Sequence, residues 1–429
     1  EIRIAGSQTE SIAQPEWSPD GDLFFVSDAS GWWNLTAWDG HSIRTFLEEE
    51  VDHAEAAWQF GYSAYGFLSD GSLALRADPA HSATLRRFET DGRELSGLGS
   101  GHSTIRYVTT VDECVLYVGA SPTSLPEIIS VHSVTGARSV LKKSNGPELN
   151  PDDISNPRAI TFPTTDNAEA HAFYYPPSNG DYEPTPGEKP PLLVKSHGGP
   201  TNATSVSLDL VVQYWTSRGF AVLDVNYGGS TAYGRAYRER LKGQWGIVDV
   251  DDCVNGALYL ERQGLADGKR LAIGGGSAGG YTTLAALTFR DVFAAGASYY
   301  GVSDLETLAK DTHKFESRYL DGLVGAYPQK AEVYRQRSPI NFTSQLSCPL
   351  ILFQGLEDKI VPPDQAESMF EAVKAKGIAT AYLPFPGEQH GFRRSENIKR
   401  ALDAELYFYS KIFGFNAAGP MEPVDIVNL

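Results

Sequence analysis

The chain has 429 residues, 41% hydrophobic and 21% charged, a globular composition whose length favours two domains over one. Its net charge of −18 argues against nucleic acid or an anionic membrane surface as a partner. The sequence contains no run of about 18 apolar residues, the length that would predict a membrane span. Three widely separated cysteines without metal-ligand spacing fit a reducing compartment, so we expect a cytoplasmic protein without a disulfide framework.

Short strand-like runs separated by turn dipeptides fill the first 150 residues. Asp-Gly between apolar runs, as in PEWSPDGDLFFVSD (Pro15–Asp28) and YGFLSDGSLALRAD (Tyr65–Asp78), predicts β-hairpins. The pattern recurs about every 45 residues, the length of one four-stranded propeller blade, and TTVDECVLYVGAS (Thr109–Ser121) belongs to a third unit. A closed propeller needs roughly four to eight blades. We therefore expect a partial propeller whose upstream blades lie outside this chain, which opens with Glu1; a small β-sandwich is the alternative.

The sequence after Pro191 alternates between strand and helix patterns. PLLVKSHGGP, FAVLDVNYGGS, RLAIGGGSAGG and PLILFQGLED are apolar runs that end in loops, with helical patterns between them. Such continuously apolar strands are typical of a mostly parallel sheet with helices on both faces. Arg394–Phe413 has helical periodicity, and the Pro- and Gly-rich stretch Pro176–Pro191 is predicted as a loop between early strands of this domain. We place the domain boundary near residue 150.

The stretch LAIGGGSAGGYTT (Leu271–Thr283) matches two motifs of different meaning. From Gly274 it reads G-x-G-x-x-G, a dinucleotide-binding loop, and around Ser277 it reads G-x-S-x-G, the turn that presents a nucleophilic serine. The dinucleotide interpretation needs an acidic residue at the end of the next strand, but that strand ends in ASYYG. The serine interpretation is therefore favoured.

A nucleophilic serine needs a base to take its proton and an acidic group to orient that base. In the α/β-hydrolase order these follow the serine as Asp or Glu and then His. LILFQGLEDKIVP is a strand that runs into Asp358, and AYLPFPGEQHGF is a strand and loop that carry His390. The alternatives are Asp364 for the acid and His197 or His313 for the base.

Acyl transfer also needs hydrogen-bond donors for the oxyanion of the reacting carbonyl. The backbone N–H of Ala278, the residue after the nucleophile, is one expected donor. The loop SHGGP (Ser196–Pro200) follows an earlier strand, and Gly199 is our choice for the second donor because glycine lets the backbone approach the reacting group. The neighbouring His197 is expected to line the pocket.

With these residues in place, the chain resembles the prolyl oligopeptidase family of serine peptidases, in its branch of acylaminoacyl peptidases and dipeptidyl aminopeptidases. The motifs that carry the resemblance are HGGP at His197, NYGGSTAYGRAYRERLKGQWGIVDVDD from Asn226, GGGSAGG around Ser277, GLEDKIVPPDQAE around Asp358 and EQHGF around His390. The resemblance implies a β-propeller that caps the hydrolase domain and admits short peptides but not folded proteins.

The resemblance also bears on substrate recognition. Dipeptidyl members bind the free N-terminus of the substrate through propeller glutamates, which directs attention to the run FLEEEVDHAEAAWQFG; a solvated loop is the alternative. Many relatives have N-Y-R-G-S where this chain has Gly228, so no role of that arginine is carried over. The candidate substrate-binding residues are His197, Tyr227, Glu48, Glu49, Glu50 and Glu55.

We therefore expect an α/β-hydrolase domain in residues 151–429, preceded by part of an all-β propeller in residues 1–150. The predicted activity is that of a serine peptidase acting on amide bonds near the N-terminus of small peptides or aminoacyl amides, with no metal or organic cofactor. An esterase with the same triad is the alternative enzyme, and a non-catalytic binding protein is the alternative outside enzymes. The expected assembly is a homo-oligomer or an association with the upstream blades, with neither nucleic acid nor membrane as a partner.

Overall fold

The computed structural model describes residues 2–78, 82–99 and 101–429, so Glu1 lies outside the described residues. The chain divides into two compact units. Unit 1 comprises Glu1–Leu149, Thr201–Asp209 and Ser230–Glu239; unit 2 comprises Asn150–Pro200, Leu210–Gly229 and Arg240–Leu429. A single boundary near residue 150 misses the second and third segments of unit 1. Their grouping depends on contacts distant in sequence, such as the hydrogen bond of 2.7 Å that the Arg235 N–H donates to the Gly31 carbonyl oxygen.

Unit 1 contains three consecutive four-stranded antiparallel sheets, each in simple meander order. The sheets consist of β1 (Ile12–Trp17), β2 (Leu23–Ser27), β3 (Asn34–Trp38) and β4 (Ile43–Thr45), then β5 (Tyr65–Phe67), β6 (Leu73–Ala77), β7 (Thr84–Phe88) and β8 (Glu94–Gly97), then β9 (Thr104–Val111), β10 (Cys114–Ser121), β11 (Ser124–His132) and β12 (Arg138–Lys143). Helix α2 (Gly234–Arg238) also belongs to this unit. Three meanders in series are propeller blades, which confirms the predicted architecture.

Two apolar clusters hold the blades together. One joins the first and second sheets and includes Phe24, Leu35 and Leu73; the other joins the second and third and includes Leu85 and Ile129. The Asp-Gly dipeptides form the expected tight turns, since Gly21 and Gly71 have φ of 94° and 86°, in the region that favours glycine. The inter-sheet packing therefore follows from alternating apolar strands connected by short polar turns.

Unit 2 is built on one eight-stranded sheet with the order β13-β14-β16-β15-β17-β18-β19-β20. β14 is antiparallel to both of its neighbours, and the other adjacent pairs are parallel. The strands are β13 (Arg158–Pro163), β14 (Glu169–Tyr175), β15 (Leu192–Ser196), β16 (Ala221–Asn226), β17 (Leu271–Gly276), β18 (Ala295–Tyr299), β19 (Leu350–Gly355) and β20 (Thr380–Phe385). This mostly parallel sheet has the predicted α/β-hydrolase topology.

Helices cover both faces of the sheet, as predicted. The helices of unit 2 are α1 (Leu210–Thr216), α3 (Val248–Arg262), α4 (Ala278–Phe289), α5 (Leu305–Asp311), α6 (Tyr319–Leu323), α7 (Ala331–Arg337), α8 (Pro363–Ala375) and α9 (Ser395–Phe413). Alternate strand residues such as Val194 and Ile273 share one apolar cluster with α3, α4 and α8. On the opposite face, Trp215 of α1 packs against Tyr409 of α9 with ring centroids 5.7 Å apart. The last helix ends where Gly414 adopts a left-handed cap, φ 72°.

Candidate active site

Ser277 lies in the turn between β17 and α4, with φ of 57° and ψ of −120°. A non-glycine residue in this region costs about 1–3 kcal/mol, and hydrogen bonds on both sides hold the turn. The Ser277 N–H donates to the Tyr299 carbonyl oxygen at 3.0 Å, and the Tyr281 N–H donates to the Ser277 carbonyl oxygen at 3.0 Å. The hydroxyl therefore stands at the strained apex of a strand–turn–helix unit, the geometry of a nucleophile elbow.

The glycines around Ser277 are required by close backbone approach. A Cβ atom added to Gly275 would lie 2.6 Å from the backbone of Gly279, and one added to Gly279 would lie 2.0 Å from the carbonyl oxygen of Ser196. The Ser196 hydroxyl also donates to the Gly279 carbonyl oxygen at 2.9 Å. The elbow is thus packed directly against the end of β15.

The structure brings Ser277, His390 and Asp358 together in one hydrogen-bonded chain. His390 Nε2 lies 2.8 Å from Ser277 Oγ, and His390 Nδ1 lies 2.8 Å from Asp358 Oδ2. Because a carboxylate only accepts hydrogen bonds, Nδ1 carries the ring proton and leaves Nε2 free to accept the proton of the hydroxyl. The other carboxylate oxygen accepts N–H bonds from Ile360 and Val361 at 2.8 and 3.0 Å.

The alternative acid, Asp364, and one alternative base, His313, are not part of this hydrogen-bonded chain. Asp364 is exposed in the first turn of α8, whereas the Asp358 side chain is fully buried. His313 lies beside Glu316, with its Nε2 3.7 Å from the carboxylate, at the start of a short 3-10 helix. Neither side chain has a hydrogen bond to Ser277 among those of the described residues.

Glu388, two positions before His390, braces the loop that carries the histidine. It is 2% exposed, and it accepts hydrogen bonds from the Arg393 and Arg394 N–H groups, both at 3.0 Å, and from Asn397 Nδ2 at 2.8 Å. Desolvation raises the pKa of Glu388, but these hydrogen bonds outweigh it and hold the pKa below its ordinary value. Sequence reasoning missed this residue, although its place in the EQHGF motif was a usable signal.

The two expected oxyanion donors lie on elements that flank Ser277. Ala278 is the first residue of α4, where N–H groups have no partner within the helix. Gly199 has φ of 129°, a conformation that favours glycine. Its neighbour Gly198 makes the close approach, since an added Cβ would lie 3.1 Å from the Gly276 carbonyl oxygen and 3.6 Å from the Ser277 Cβ. The assignment of Ala278 and Gly199 as donors stays a prediction.

His197 and Tyr227 form a stacked pair that holds the same loop. Their ring centroids are 4.2 Å apart at 18°, and the Tyr227 hydroxyl lies within 2.9 Å of the His197 carbonyl oxygen and 3.3 Å of that of Pro200. Desolvation lowers the pKa of His197 to about 4, opposed by its hydrogen bond to the Gly198 carbonyl, so its imidazole is neutral at pH 7. The fully buried Tyr227 is suited to holding the loop; substrate contact by either residue stays a prediction.

The four glutamate candidates of unit 1 have different environments. Glu48 and Glu50 are exposed, and Glu49 is bound to Arg86, whose Nη1 lies 2.7 Å from its Oε1. Glu55 alone among the four lines a cleft of unit 1 with a volume of about 40 Å³. Of the four candidates in this run, Glu55 is therefore the one that lines this cleft.

Three polar side chains surround the Glu55 carboxylate within unit 1. Its Oε1 lies 3.1 Å from the Tyr62 hydroxyl, 3.2 Å from Arg76 Nη2 and 3.4 Å from Arg106 Nε. The cleft is lined by Asp52, Ala54, Glu55, Arg76, Asp78, Ser103, Thr104, Arg106, Asn202, Ala203, Thr204, Ser205, Val206, Thr231 and Ala232. Its ionisable side chains are therefore three acids and two arginines.

Tyr300 is a further site residue that sequence reasoning missed. Its ring lies edge-to-face against His390 with centroids 5.0 Å apart, and it covers Gly276, where an added Cβ would lie 2.9 Å from the ring. The signal available was its position after β18, the strand that pairs with β17, which leads into Ser277. In the part of the chain that the structure describes, no group of three or more His, Cys, Asp or Glu residues could hold a metal ion, and no helix there has the length and apolar character needed to cross a membrane.

Comparisons with known proteins identify relatives of this arrangement. The prolyl oligopeptidase family model matches residues 206–416. Dipeptidyl aminopeptidase BIII of Pseudoxanthomonas mexicana is 28% identical over 355 residues, which are 81% of this chain and 50% of that protein. The structure of a Mycobacterium tuberculosis puromycin-hydrolyzing peptidase is 41% identical, with a TM-score of 0.95, over 99% of this chain and 64% of that one.

A third comparison concerns a puromycin hydrolase with a serine-to-alanine substitution, complexed with PGG. It is 41% identical, with a TM-score of 0.92, over 97% of this chain and 63% of that one. The chain thus spans about half the length of the dipeptidyl aminopeptidase and less than two thirds of the two solved structures. The family match over residues 206–416, these identities and the fold agree that the chain is similar to peptidases of the prolyl oligopeptidase family, S9.

Proposed function

We propose that the protein hydrolyses amide bonds near the N-terminus of small peptides or aminoacyl amides, with Ser277 as nucleophile, His390 as base and Asp358 as the residue that orients the base. The observation that carries the proposal is the unbroken hydrogen-bonded chain from Asp358 through His390 to Ser277, at 2.8 Å for each link. A serine hydroxyl at the apex of a strained elbow, already bonded to an imidazole, is prepared for proton transfer.

The reaction follows from this geometry in two balanced halves. Ser277 Oγ attacks the amide carbonyl carbon while its proton passes to His390 Nε2, and the carbonyl oxygen becomes an oxyanion facing the N–H groups of Ala278 and Gly199. The C–N bond then breaks, and the imidazolium returns the proton to the leaving amine. Water repeats the sequence on the acyl-enzyme and releases the acid and the serine.

The environment of Asp358 supports its role as the orienting group. Its two carboxylate oxygens accept from different directions, one from His390 and one from the N–H groups of Ile360 and Val361. The aspartate therefore cannot rotate without losing hydrogen bonds, and it holds the imidazole in the tautomer that the reaction requires. His197 is poorly suited as an alternative base because desolvation lowers the pKa of its imidazole to about 4, and because the Ser277 hydroxyl is already bonded to His390.

We further propose Glu55 as the group that receives the free amine of a substrate. Its carboxylate is one of three acidic side chains that line the cleft, together with two arginines. A cation therefore matches the charge of the cleft better than an anion does. The relative named dipeptidyl aminopeptidase supports a free N-terminus in the substrate. The other three candidates, Glu48, Glu49 and Glu50, do not line this cleft and are weaker candidates.

The relatives that hydrolyse puromycin support aminoacyl amides as one substrate class. Puromycin is itself an aminoacyl amide, in which an amino acid with a free α-amine is joined to an aminonucleoside. An esterase is not favoured, because the relatives are peptidases in name and family. The same triad chemistry nonetheless makes an aryl ester a necessary comparison.

The test measures kcat/KM for four substrates: an aminoacyl-arylamide, its N-acetylated form, the matching aryl ester and puromycin. Ser277→Ala is the inactive variant, and Ser368→Ala, at an exposed serine of α8, is the matched control. We expect cleavage of the free-amine amide and of puromycin by the wild type and by Ser368→Ala only. Turnover of the ester alone, or amide cleavage that survives in Ser277→Ala, contradicts the proposal.

A further inference from the structure

Tyr300 has a backbone conformation that its side chain does not favour. Its φ is 40°, and an aromatic residue at positive φ is uncommon because its Cβ crowds the backbone. The turn is nevertheless tightly held, since the Tyr300 N–H donates to the Phe353 carbonyl oxygen at 2.7 Å. The chain thus keeps a large ring at a position where glycine would be conformationally easier.

The next residue fixes the same turn against the nucleophile elbow. A Cβ added to Gly301 would lie 2.3 Å from Ser298 Oγ and 2.7 Å from the backbone of Gly280, in the first turn of α4. The preceding Tyr299 accepts the hydrogen bond from the Ser277 N–H. The position of the Tyr300 ring is therefore set by contacts with the elbow itself.

The ring fills the space between the nucleophile strand and the histidine loop. It covers Gly276 on one side, and it packs against His390 and against Phe392, with ring centroids 5.0 and 5.4 Å away at 62° and 76°. Edge-to-face aromatic pairs of this kind are attractive and directional. None of the hydrogen bonds of the described residues involves the Tyr300 hydroxyl, whereas the ring makes the contacts with His390 and Phe392.

We propose that Tyr300 is a positioning residue that keeps the His390 imidazole directed at the reacting atoms, and that it acts through its ring rather than its hydroxyl. This inference rests on the proposed function. In the resting site the imidazole has two hydrogen-bonding anchors, Asp358 and Ser277. Once Ser277 Oγ is acylated, one anchor is lost, and the packed ring together with Asp358 keeps Nε2 in place to activate water.

The variants separate the ring from the hydroxyl and from the backbone. Tyr300→Phe keeps the ring, whereas Tyr300→Asn and Tyr300→Gly remove it. Asparagine and glycine are chosen because these residues tolerate positive φ best. Tyr182→Asn, at a tyrosine that is 78% exposed in a loop, controls for the residue change itself. Two ring-free variants keep the test decisive if one of them fails to fold.

We expect Tyr300→Phe and Tyr182→Asn to stay within about twofold of the wild type in kcat and KM for the aminoacyl-arylamide. The ring-free variants should lose about ten- to hundredfold in kcat, because a misplaced catalytic group costs rates of this order, while KM changes less than about threefold. Rapid acylation followed by slow turnover of the aryl ester should appear as a burst in these variants. A merely structural role would lower the melting temperature without producing this kcat-specific loss.

Two results would overturn the inference. A loss in Tyr300→Phe equal to that in Tyr300→Asn would show that the hydroxyl is the functional group, and ring-free variants with wild-type kcat would show that no positioning occurs. A wild type that cleaves none of the substrates is a different result, because it contradicts the proposed function itself.

Discussion

Replacing Glu388 by glutamine is expected to loosen the loop that carries His390. Oε1 of this carboxylate accepts from the Arg394 N–H and Asn397 Nδ2, and Oε2 accepts from the Arg393 N–H. A glutamine whose oxygen takes the Oε1 position keeps two of these bonds. Its amide nitrogen then faces the Arg393 N–H, so one hydrogen bond is lost and two donors oppose each other.

The magnitude follows from that count. One hydrogen bond to a charged acceptor is worth about 1.5–3 kcal/mol, so Glu388→Gln should lower the free energy of unfolding by about 2 kcal/mol. Because the melting temperature of a unit of this size shifts by about 2 °C per kcal/mol, it should fall by about 4 °C. A displacement of His390 Nε2 of about 1 Å costs up to about a hundredfold in rate, so we expect kcat to fall at least about tenfold.

The pH dependence gives the same prediction a second readout. The pKa of Glu388 is lower in the folded protein than its ordinary value of 4.5. The carboxylate therefore contributes stability that is fully present above the unfolded pKa and is lost as pH falls through the folded pKa. Glutamine does not titrate, so the stability difference between wild type and variant should narrow below about pH 4.5.

The assay combines thermal unfolding with kcat on the aminoacyl-arylamide. Glu396→Gln, at an exposed glutamate in the first turn of α9, is the matched control and should behave as wild type. Unchanged melting temperature and kcat in Glu388→Gln, or equal effects in Glu396→Gln, would refute the assignment of Glu388 as the brace of the histidine loop.

The other predictions concern the elbow, the pH response and the substrate amine. Gly279→Ala should abolish activity and lower the soluble yield, because its Cβ would lie 2.0 Å from a backbone oxygen; Gly322→Ala, with no atom within 4 Å of its Cβ, should change neither. The pKa of His197 is lowered to about 4 by desolvation, so the unfolded chain binds more protons between about pH 4 and 6.5, and stability should rise as the pH rises across that window. His197→Phe should flatten that slope in unfolding experiments; an unaltered slope would contradict it. Glu55→Gln should lower kcat/KM at least about tenfold for the free-amine amide but not for its N-acetylated form, whereas Glu48→Gln should change neither; equal losses on both substrates would argue against amine recognition.

Much of the fold follows from local patterns. The Asp-Gly turns at Gly21 and Gly71 and the alternating strands between them predict the blades, and apolar strands separated by helices predict the parallel sheet. The grouping of Thr201–Asp209 and Ser230–Glu239 with unit 1 was not predictable in this way. It depends on contacts between residues far apart in sequence, such as the bond from Arg235 to Gly31, which no local periodicity encodes.

The candidate site likewise contains residues that the sequence predicts and residues that it does not. The order of Ser277, Asp358 and His390 along the chain is enough to nominate them, because each follows a recognisable strand. Tyr300 and Glu388 are not recognisable from residue type, since each acts on the geometry of His390 through packing or hydrogen bonds. These side-chain contacts depend on how loops from different strands meet at one edge of the sheet.

Active-site labelling tests the central claim most directly. The wild-type protein would be treated with a fluorophosphonate, digested, and the modified residue identified by mass spectrometry, with amide hydrolysis measured in parallel. The account predicts a single phosphonylated residue, Ser277, and loss of hydrolysis in proportion to labelling. Modification of a different serine, or full labelling of Ser277 with undiminished amide hydrolysis, would contradict it.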